Sequence, residues 1–542
     1  MEEFLARLEQ TLWGWPLLLW ILGAGLWLTV RLRCLPLRRM GTALRLLLRR
    51  EGEDGGISPL AALCTSLSAT VGTGNLVGVA SALALGGPGA LFWMEVSAVT
   101  GLALKYAEGL LAVKYRYRSP GGGYSGGPFA YIRLGLGERG RGLARAFACF
   151  GALAGICGVG TFVQIGSITA GLRYFLEQSG LPLPGVALFG HRVPLAVAGL
   201  GLLLTGLAAP LILGGIRKIS RVSTLLVPLM GGLYLLCCFW ILIRRAEVLP
   251  GVLRDVLRGA FTPAGVTGGL LGTVQAGISR GVFSNEAGLG TAPIAAAEAS
   301  GVKAGEQGLI SMTATVFDTL LICTLTGLAI LCTGANRGGA GIWSAMEAFS
   351  AGLPLPPMLS RGLVLLCLCL FAFTTAVGWS FYGTACLDFL TGSRLLPKRI
   401  YLAVYIITIL LAPYLPVRAL WSAANICNGL MAIPNITGIL LLRRQIVIDS
   451  RPIMGYSKGT GGIANGDSVS GRPGPGLPQA GGGALYRRAR RTAGAAPDRA
   501  GRSGGQPPHS PSAGPGGQRS HGPGPHGPGG LGPVRADPIR RL

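Results

Sequence analysis

The sequence predicts an all-α polytopic membrane protein of eleven transmembrane helices, one leading helix followed by two inverted repeats of five. Three observations predict it: sparse charge, recurrent apolar runs of spanning length, and two polar, glycine-rich interruptions five spans apart. Only 13% of the 542 residues are charged and 50% are hydrophobic, where a soluble domain carries about 25% charge. The 89 glycines follow no triplet period, which excludes collagen. The 12 cysteines stand singly or inside apolar runs such as Cys237-Cys238, so they read as small hydrophobes and not as a disulfide framework.

Runs able to cross about 30 Å of hydrocarbon lie at 13–30, 58–82, 88–113, 146–172, 194–214, 221–243, 266–296, 309–333, 359–390, 399–414 and 419–442. The first is no cleaved leader, because Met1-Glu2-Glu3 is acidic and the run is too long for a signal core. Basic residues then set orientation. Arg31, Arg33, Arg38, Arg39, Arg45, Arg49 and Arg50 follow the first span, and Lys114, Arg116, Arg118, Arg217, Lys218, Arg221, Arg394, Lys398, Arg399, Arg443 and Arg444 occupy alternate loops. By the positive-inside rule these loops are cytoplasmic, with the N-terminus outside and residues after 444 inside. Arg244, Arg245, Arg254 and Arg258 fall on the other side, partly offset by Glu247 and Asp255. Most of the net charge of +26 thus orients the chain, and nucleic acid is not implied as a partner.

The second span contains Val71-Gly72-Thr73-Gly74-Asn75 and the seventh contains Phe283-Ser284-Asn285-Glu286-Ala287-Gly288-Leu289-Gly290. Unwound backbone at membrane depth is tolerated only inside protein or along a cavity. With the first span set aside, the breaks fall at matching places in two five-span halves. An odd repeat length inverts one half relative to the other, which is the arithmetic of a transporter with discontinuous helices at the midplane. The expected organisation is 1–57 for the leading helix and a basic segment, 58–243 and 244–445 for the repeats, and 446–542 for a tail. A half-helix starting after Gly72–Asn75 offers N–H groups and a positive dipole end to a carboxylate. Released carbonyls, with Thr73, Asn75, Ser284 and Asn285, suit an ammonium group or Na⁺.

These segments, with Gly86-Gly87-Pro88-Gly89, Phe92-Trp93-Met94, Ala112-Val113-Lys114-Tyr115-Arg116, Gly126-Gly127-Pro128, Glu306-Gln307-Gly308-Leu309, Gly378-Trp379-Ser380 and Asn428-Gly429-Leu430-Met431-Ala432, resemble the alanine-or-glycine:cation symporter family. The resemblance runs from about residue 10 to 445. It implies a LeuT-type fold with one extra leading helix and uptake of alanine or glycine coupled to Na⁺, sometimes H⁺, in a prokaryotic inner membrane. No cofactor beyond the coupling ion and no obligate protein partner is implied. Thr73, Gly74, Asn75, Gln164, Phe283, Ser284, Thr375 and Trp379 would form the substrate pocket. Glu95 and Asn425 depart from the residues the family commonly has there.

Charges inside spans are costly and need partners. Asp318 reads either as a neutraliser of a cation site, with Asn75 and Asn285, or as a hydrogen-bonded anchor. Arg280 and Glu286, six residues apart at the second break, are expected to pair, as a structural or a gating element. Lys105 and Glu108 read as a helix-surface pair near the cytoplasmic end of the third span. Gln164 is the strongly polar side chain at the middle of the fourth span, fit to hold a carboxylate or to join two helices.

An enzyme is not expected. Gly277-Ile278-Ser279-Arg280-Gly281 and Gly455-Tyr456-Ser457-Lys458-Gly459 mimic a nucleophile elbow, but no strand precedes the first and His191 is the one histidine before residue 509. A channel would need a filter of repeated carbonyl donors, which the sequence does not offer. Residues 451–542 hold 24 Gly and 14 Pro among 92 residues, with 13 Lys and Arg against 3 Asp, a composition read as disorder. Arg outnumbers Lys 42 to 6 in the whole chain, which points to GC-rich coding DNA and to a tail that is read in a shifted frame or is a dispensable extension, the alternative being a basic arm for anionic lipid.

Overall fold

The computed structural model describes residues 2–48, 56–119, 122–158, 160–180, 184–188, 191–262, 269–338, 341–414 and 417–455, all within the compact unit Met1–Thr460. The chain opens with an amphipathic α1 (Glu2–Leu12) and an apolar α2 (Trp15–Arg31). The first discontinuous segment is α3 (Pro59–Thr70), capped by the Ser58 hydroxyl accepting from the Ala61 N–H, then a π-helical turn Gly74–Gly78 running into α4 (Val79–Gly86). Long helices follow: α5 (Gly89–Lys114), α6 (Arg141–Cys157), α7 (Phe162–Gln178), α8 (Leu195–Leu213) and α9 (Gly215–Arg244).

The second half contains α10 (Leu249–Phe261), α11 (Gly269–Asn285), the short α12 (Ala292–Ala296), α13 (Ala304–Thr315), a π-helical stretch Val316–Cys323 and α14 (Thr324–Thr333). It ends with α15 (Pro357–Thr391), α16 (Leu395–Leu411), α17 (Val417–Leu441) and α18 (Arg443–Met454). Among the described residues nine helical segments are long and apolar enough to cross a membrane, and ten when α3 and Gly74–Gly86, bent by 53°, count as one.

Helices approach closely where glycine removes a side chain. A Cβ on Gly277 would come within 2.4 Å of the Ala90 carbonyl, and one on Gly281 within 2.1 Å of Ser97 Oγ, so a small-xxx-small stripe seats α11 on α5. With no hydrophobic drive between helices in lipid, such contact is the main source of cohesion. The same economy joins α5 to α10 through Gly89 and Gly259. On α10 that packing is one-sided. Val252, Val256 and Ala260 are buried on one side of α10, and Arg254, Asp255 and Arg258 lie on the exposed side.

The structure corrects several expectations. The fold is not purely helical: Tyr117–Arg118 pairs antiparallel with Tyr124–Ser125, and Gly185–Leu188 with His191–Pro194. The fourth apolar run is two helices that part after Cys157, because Gly158 and Gly160 bring backbone against Ala424 and Trp379. The run 266–296 is interrupted as expected, by non-helical residues 286–291. Residues 446–454, expected in the tail, belong to α18. Its Asp449 forms an ion pair with Lys114, and its Ser450 accepts from Tyr106 at 2.9 Å. The remaining tail, from 456, lies outside the described residues. All twelve cysteines are free.

Candidate functional site

The first break begins at Val71, where backbone leaves the helical region at ψ 96°. Its turn is stabilised from within, since the Gly72 N–H donates to Asn75 Oδ1 at 3.0 Å. The Thr73 N–H donates to Gln164 Oε1 at 3.2 Å. Gln164 stands in the first turn of α7, a position that the unforeseen break in the fourth run supplies. Thr375, from the middle of α15, donates to the Val71 carbonyl at 3.2 Å. A Cβ on Gly72 would come within 2.7 Å of Thr375 Oγ1 and 3.0 Å of Gln164 Oε1, so any side chain there would push these two groups off the break.

Asp318 joins the two broken segments. Asn75 Nδ2 donates to Asp318 Oδ1 at 2.8 Å, Ser284 Oγ donates to Asp318 Oδ2 at 2.8 Å, and Thr319 Oγ1 donates to the same oxygen at 2.7 Å. The carboxylate sits in a π-helical stretch, where one extra residue per turn re-aims a side chain. Of the two readings of Asp318, the hydrogen-bonded anchor has its geometry here. Gly74 packs against Ser284 and Phe283 at 3.3 and 3.6 Å from its virtual Cβ, so the two breaks touch. Thr73, Asn75, Gln164, Ser284, Thr375, Trp379 and Asp318 are all buried. Thr73 Oγ1 and Asn285 Nδ2 are buried without a hydrogen-bond partner among the described residues, while Asn285 Oδ1 accepts from the Ala287 N–H at 2.9 Å. Trp379 is fully buried, with its ring edge on Tyr382.

Two of the charge expectations fail. Arg280 does not meet Glu286. Six residues put them on different faces of the helix path, and Glu286, in left-handed backbone at φ 53°, turns inward to accept from Thr291 Oγ1. Nor are Lys105 and Glu108 a surface pair, because both are fully buried. Glu108 Oε1 accepts from the Gly288 N–H at 3.1 Å and from Asn435 Nδ2 at 2.7 Å, and the same amide group donates to the Gly288 carbonyl at 2.9 Å. The positive charge of Lys105 acts on Glu108, Glu286 and Asp318. This set was missed because three-residue spacing suits an exposed pair as well as a buried one. The cost of charge inside a span was the available signal, and Asn435 gave none.

Cavities approach these residues from opposite ends. One of about 510 Å³ opens beside α1 and reaches Phe283. Another of about 400 Å³ opens at the arginine-rich end, between Arg217, Glu298, Lys398 and Ser380. At that end the strand-like Ile57 is tied to the segment after α12. Its N–H donates to the Glu298 carbonyl at 3.1 Å, and its carbonyl accepts from the Ser300 N–H at 2.9 Å. The Arg116 guanidinium donates to the carbonyls of Ala297 and Ala299 and stacks 3.7 Å from the Tyr124 ring centre. Burial pushes the Glu298 carboxyl up to about 7, against the opposing pull of the Tyr124 backbone, Arg116 and Arg217.

The chain matches the family described as "Sodium:alanine symporter family" over residues 1–457. An uncharacterized transporter of Haemophilus influenzae is 40% identical over 459 residues, spanning 83% of this chain and 96% of that protein. The sodium/alanine symporter AgcS of Methanococcus maripaludis is 37% identical over 452 residues, spanning 81% of this chain and 94% of its own. In fold, the chain is similar to the crystal structure of MhsT in complex with L-phenylalanine, with a TM-score of 0.52 at 14% identity, over 72% of this chain and 90% of that one.

Proposed function

From the premise that the chain belongs to the sodium:alanine symporter family, we propose that it takes up alanine or glycine with Na⁺ by alternating access. It is a multi-pass, Na⁺-coupled amino-acid transporter and not an enzyme. The finer reading is that 58–243 and 244–445 form the inverted repeats of a LeuT-type fold, after one leading helix. The arginine-rich end then faces the cytoplasm of a prokaryotic cell, with the N-terminus outside.

The observation that carries the reading is Asp318, whose two oxygens take donors from both broken helices. Substrate docks against the first break, with Thr73, Gly74 and Asn75 on its carboxylate side and Gln164 and Thr375 bracing that same wall. Phe283, Ser284 and Trp379 limit the space for a side chain. Na⁺ is a co-substrate held by neutral oxygens of Asn75, Asn285 and released carbonyls beside Asp318. Its charge offsets a buried carboxylate, so ion and zwitterion favour each other's binding. Movement of one repeat against the other exposes the site to one cavity at a time.

The test is counterflow in proteoliposomes, where labelled alanine enters against trapped unlabelled alanine and Na⁺ on both sides. Saturable exchange, competed by glycine and dependent on Na⁺, is expected. Asn75→Ala removes a donor to Asp318 and the internal brace of the break, and is expected to raise KM about tenfold or more with the protein still folded. Uptake by this variant at the wild-type KM would overturn the site assignment. Unsaturable flux would replace the carrier by a channel.

A further inference from the structure

We propose that the cavity beside α1 is a second, outer binding site for the same zwitterionic amino acid, occupied before the substrate reaches the broken helices. The proposal rests on the functional reading above for its ligand class, and on the cavity for its chemistry. The space of about 510 Å³ is lined by Glu9 and Trp13 near the N-terminus, Gln275, Arg280 and Phe283 on α11, and Asn425 on α17. It has room for a small amino acid with part of its water.

Its charges are arranged as a pair that does not close on itself. Glu9 is the carboxylate whose charge acts on Arg280. Among the described residues the two share no salt bridge, and no hydrogen bond engages the Arg280 guanidinium. Glu9 Oε1 is instead held by Asn425 Nδ2, whose own backbone carbonyl takes the Trp13 indole N–H at 2.8 Å. Gln275 Nε2 reaches the Trp13 carbonyl at 3.4 Å, so α1 is tied down over the cavity by polar contacts on two helices. Asn425 is 4% exposed, and its Oδ1 is buried with no hydrogen-bond partner. A cation at one side, a carboxylate at the other and an unsatisfied acceptor beside it match a carboxylate and an ammonium on one carbon.

The arrangement also orients its ligand. Arg280 precedes Phe283 by about one helical turn, while Glu9 belongs to the covering helix. An amino acid bound between them points its carboxylate along α11 toward the first break, where half-helix N–H groups receive it. Weak binding suits this role, because Arg280 and Glu9 keep access to water and the pair is screened.

Full-length protein in proteoliposomes provides the test, with labelled alanine as probe. Arg280→Gln and Glu9→Gln are expected to raise the external KM about tenfold, the loss of one charge-assisted contact, with the maximal rate within about twofold of wild type. Arg280→Lys recovers part of the affinity. KM for efflux from the arginine-rich end stays at its wild-type value, which a general structural defect would not allow. Unchanged external KM in Glu9→Gln and Arg280→Gln overturns the outer site, as does an equal loss in both directions. Should Arg280→Gln fail to fold, Glu9→Gln carries the test from a partly exposed helix. A wild type that neither binds nor exchanges alanine or glycine overturns the functional reading instead, and the outer site with it.

Discussion

The two helix breaks share a glycine-rich signature and use it for opposite purposes. At the first, Gly72 lies in ordinary backbone, and its missing side chain lets Thr375 and Gln164 close on the chain. At the second, the glycines serve conformation: Gly288 and Gly290 lie at φ 86° and 83°, in a region other residues rarely enter. The first break is braced by short neutral side chains, Asn75 and Thr375, and keeps Thr73 Oγ1 unengaged. The second is pinned by Glu108, Asn435 and Thr291, with the charge of Lys105 among three carboxylates. Phe283 and Ser284, just ahead of the second break, are the residues that meet Gly74 at the first.

The sharpest way to break this contrast is Glu108→Ala. It leaves the Gly288 N–H and Asn435 Nδ2 without their shared acceptor, and each buried group left unsatisfied costs about 1–3 kcal/mol. Poorly folded protein, seen as a collapse of thermal stability in detergent, is expected, and a stable variant with altered KM would make Glu108 part of the ligand site. Next come two alanines of equal size. Gly72→Ala is expected to abolish uptake while thermal stability stays near wild type, since its Cβ collides with side chains that hold the pocket. Gly288→Ala is expected to lose about 1–2 kcal/mol of stability through left-handed strain, with the KM of the surviving protein unchanged. Exchange of these two phenotypes would invert the comparison.

The smallest effect concerns Glu298, outside both breaks. Its carboxyl titrates near 7 in the fold and near its ordinary 4.5 when unfolded. Between these values the folded chain holds a proton that the unfolded chain has released. Its contribution is therefore complete below about pH 4.5 and is lost as pH rises through 7. Glu298→Gln stays neutral throughout and is expected to flatten the stability profile between pH 5 and 8. Parallel melting curves of the two proteins across that range check it.

Both breaks were legible because glycine and polar residues inside an apolar run have few explanations at membrane depth. So were Thr73, Asn75 and Ser284, which the fold brings onto or beside one another, whereas Thr375 came only through the family resemblance. The break ahead of Gln164 was hidden, because Gly158 and Gly160 sit among apolar residues that continue the run. The pairing of Arg280 with Glu286 was a guess from nearness in sequence, and a single residue at φ 53° was enough to undo it.

Apolar length and glycine placement are local properties, and they determined from the sequence that this chain spans a membrane many times and is interrupted at two places. Which charges share a cavity is not local. Glu9 and Arg280 line one cavity, and Glu108 holds Gly288 with Asn435, only because helices distant in sequence pack against one another. Periodicity says which face of a helix is polar, but the partner waiting on that face is set by packing, and the tertiary structure alone decided it.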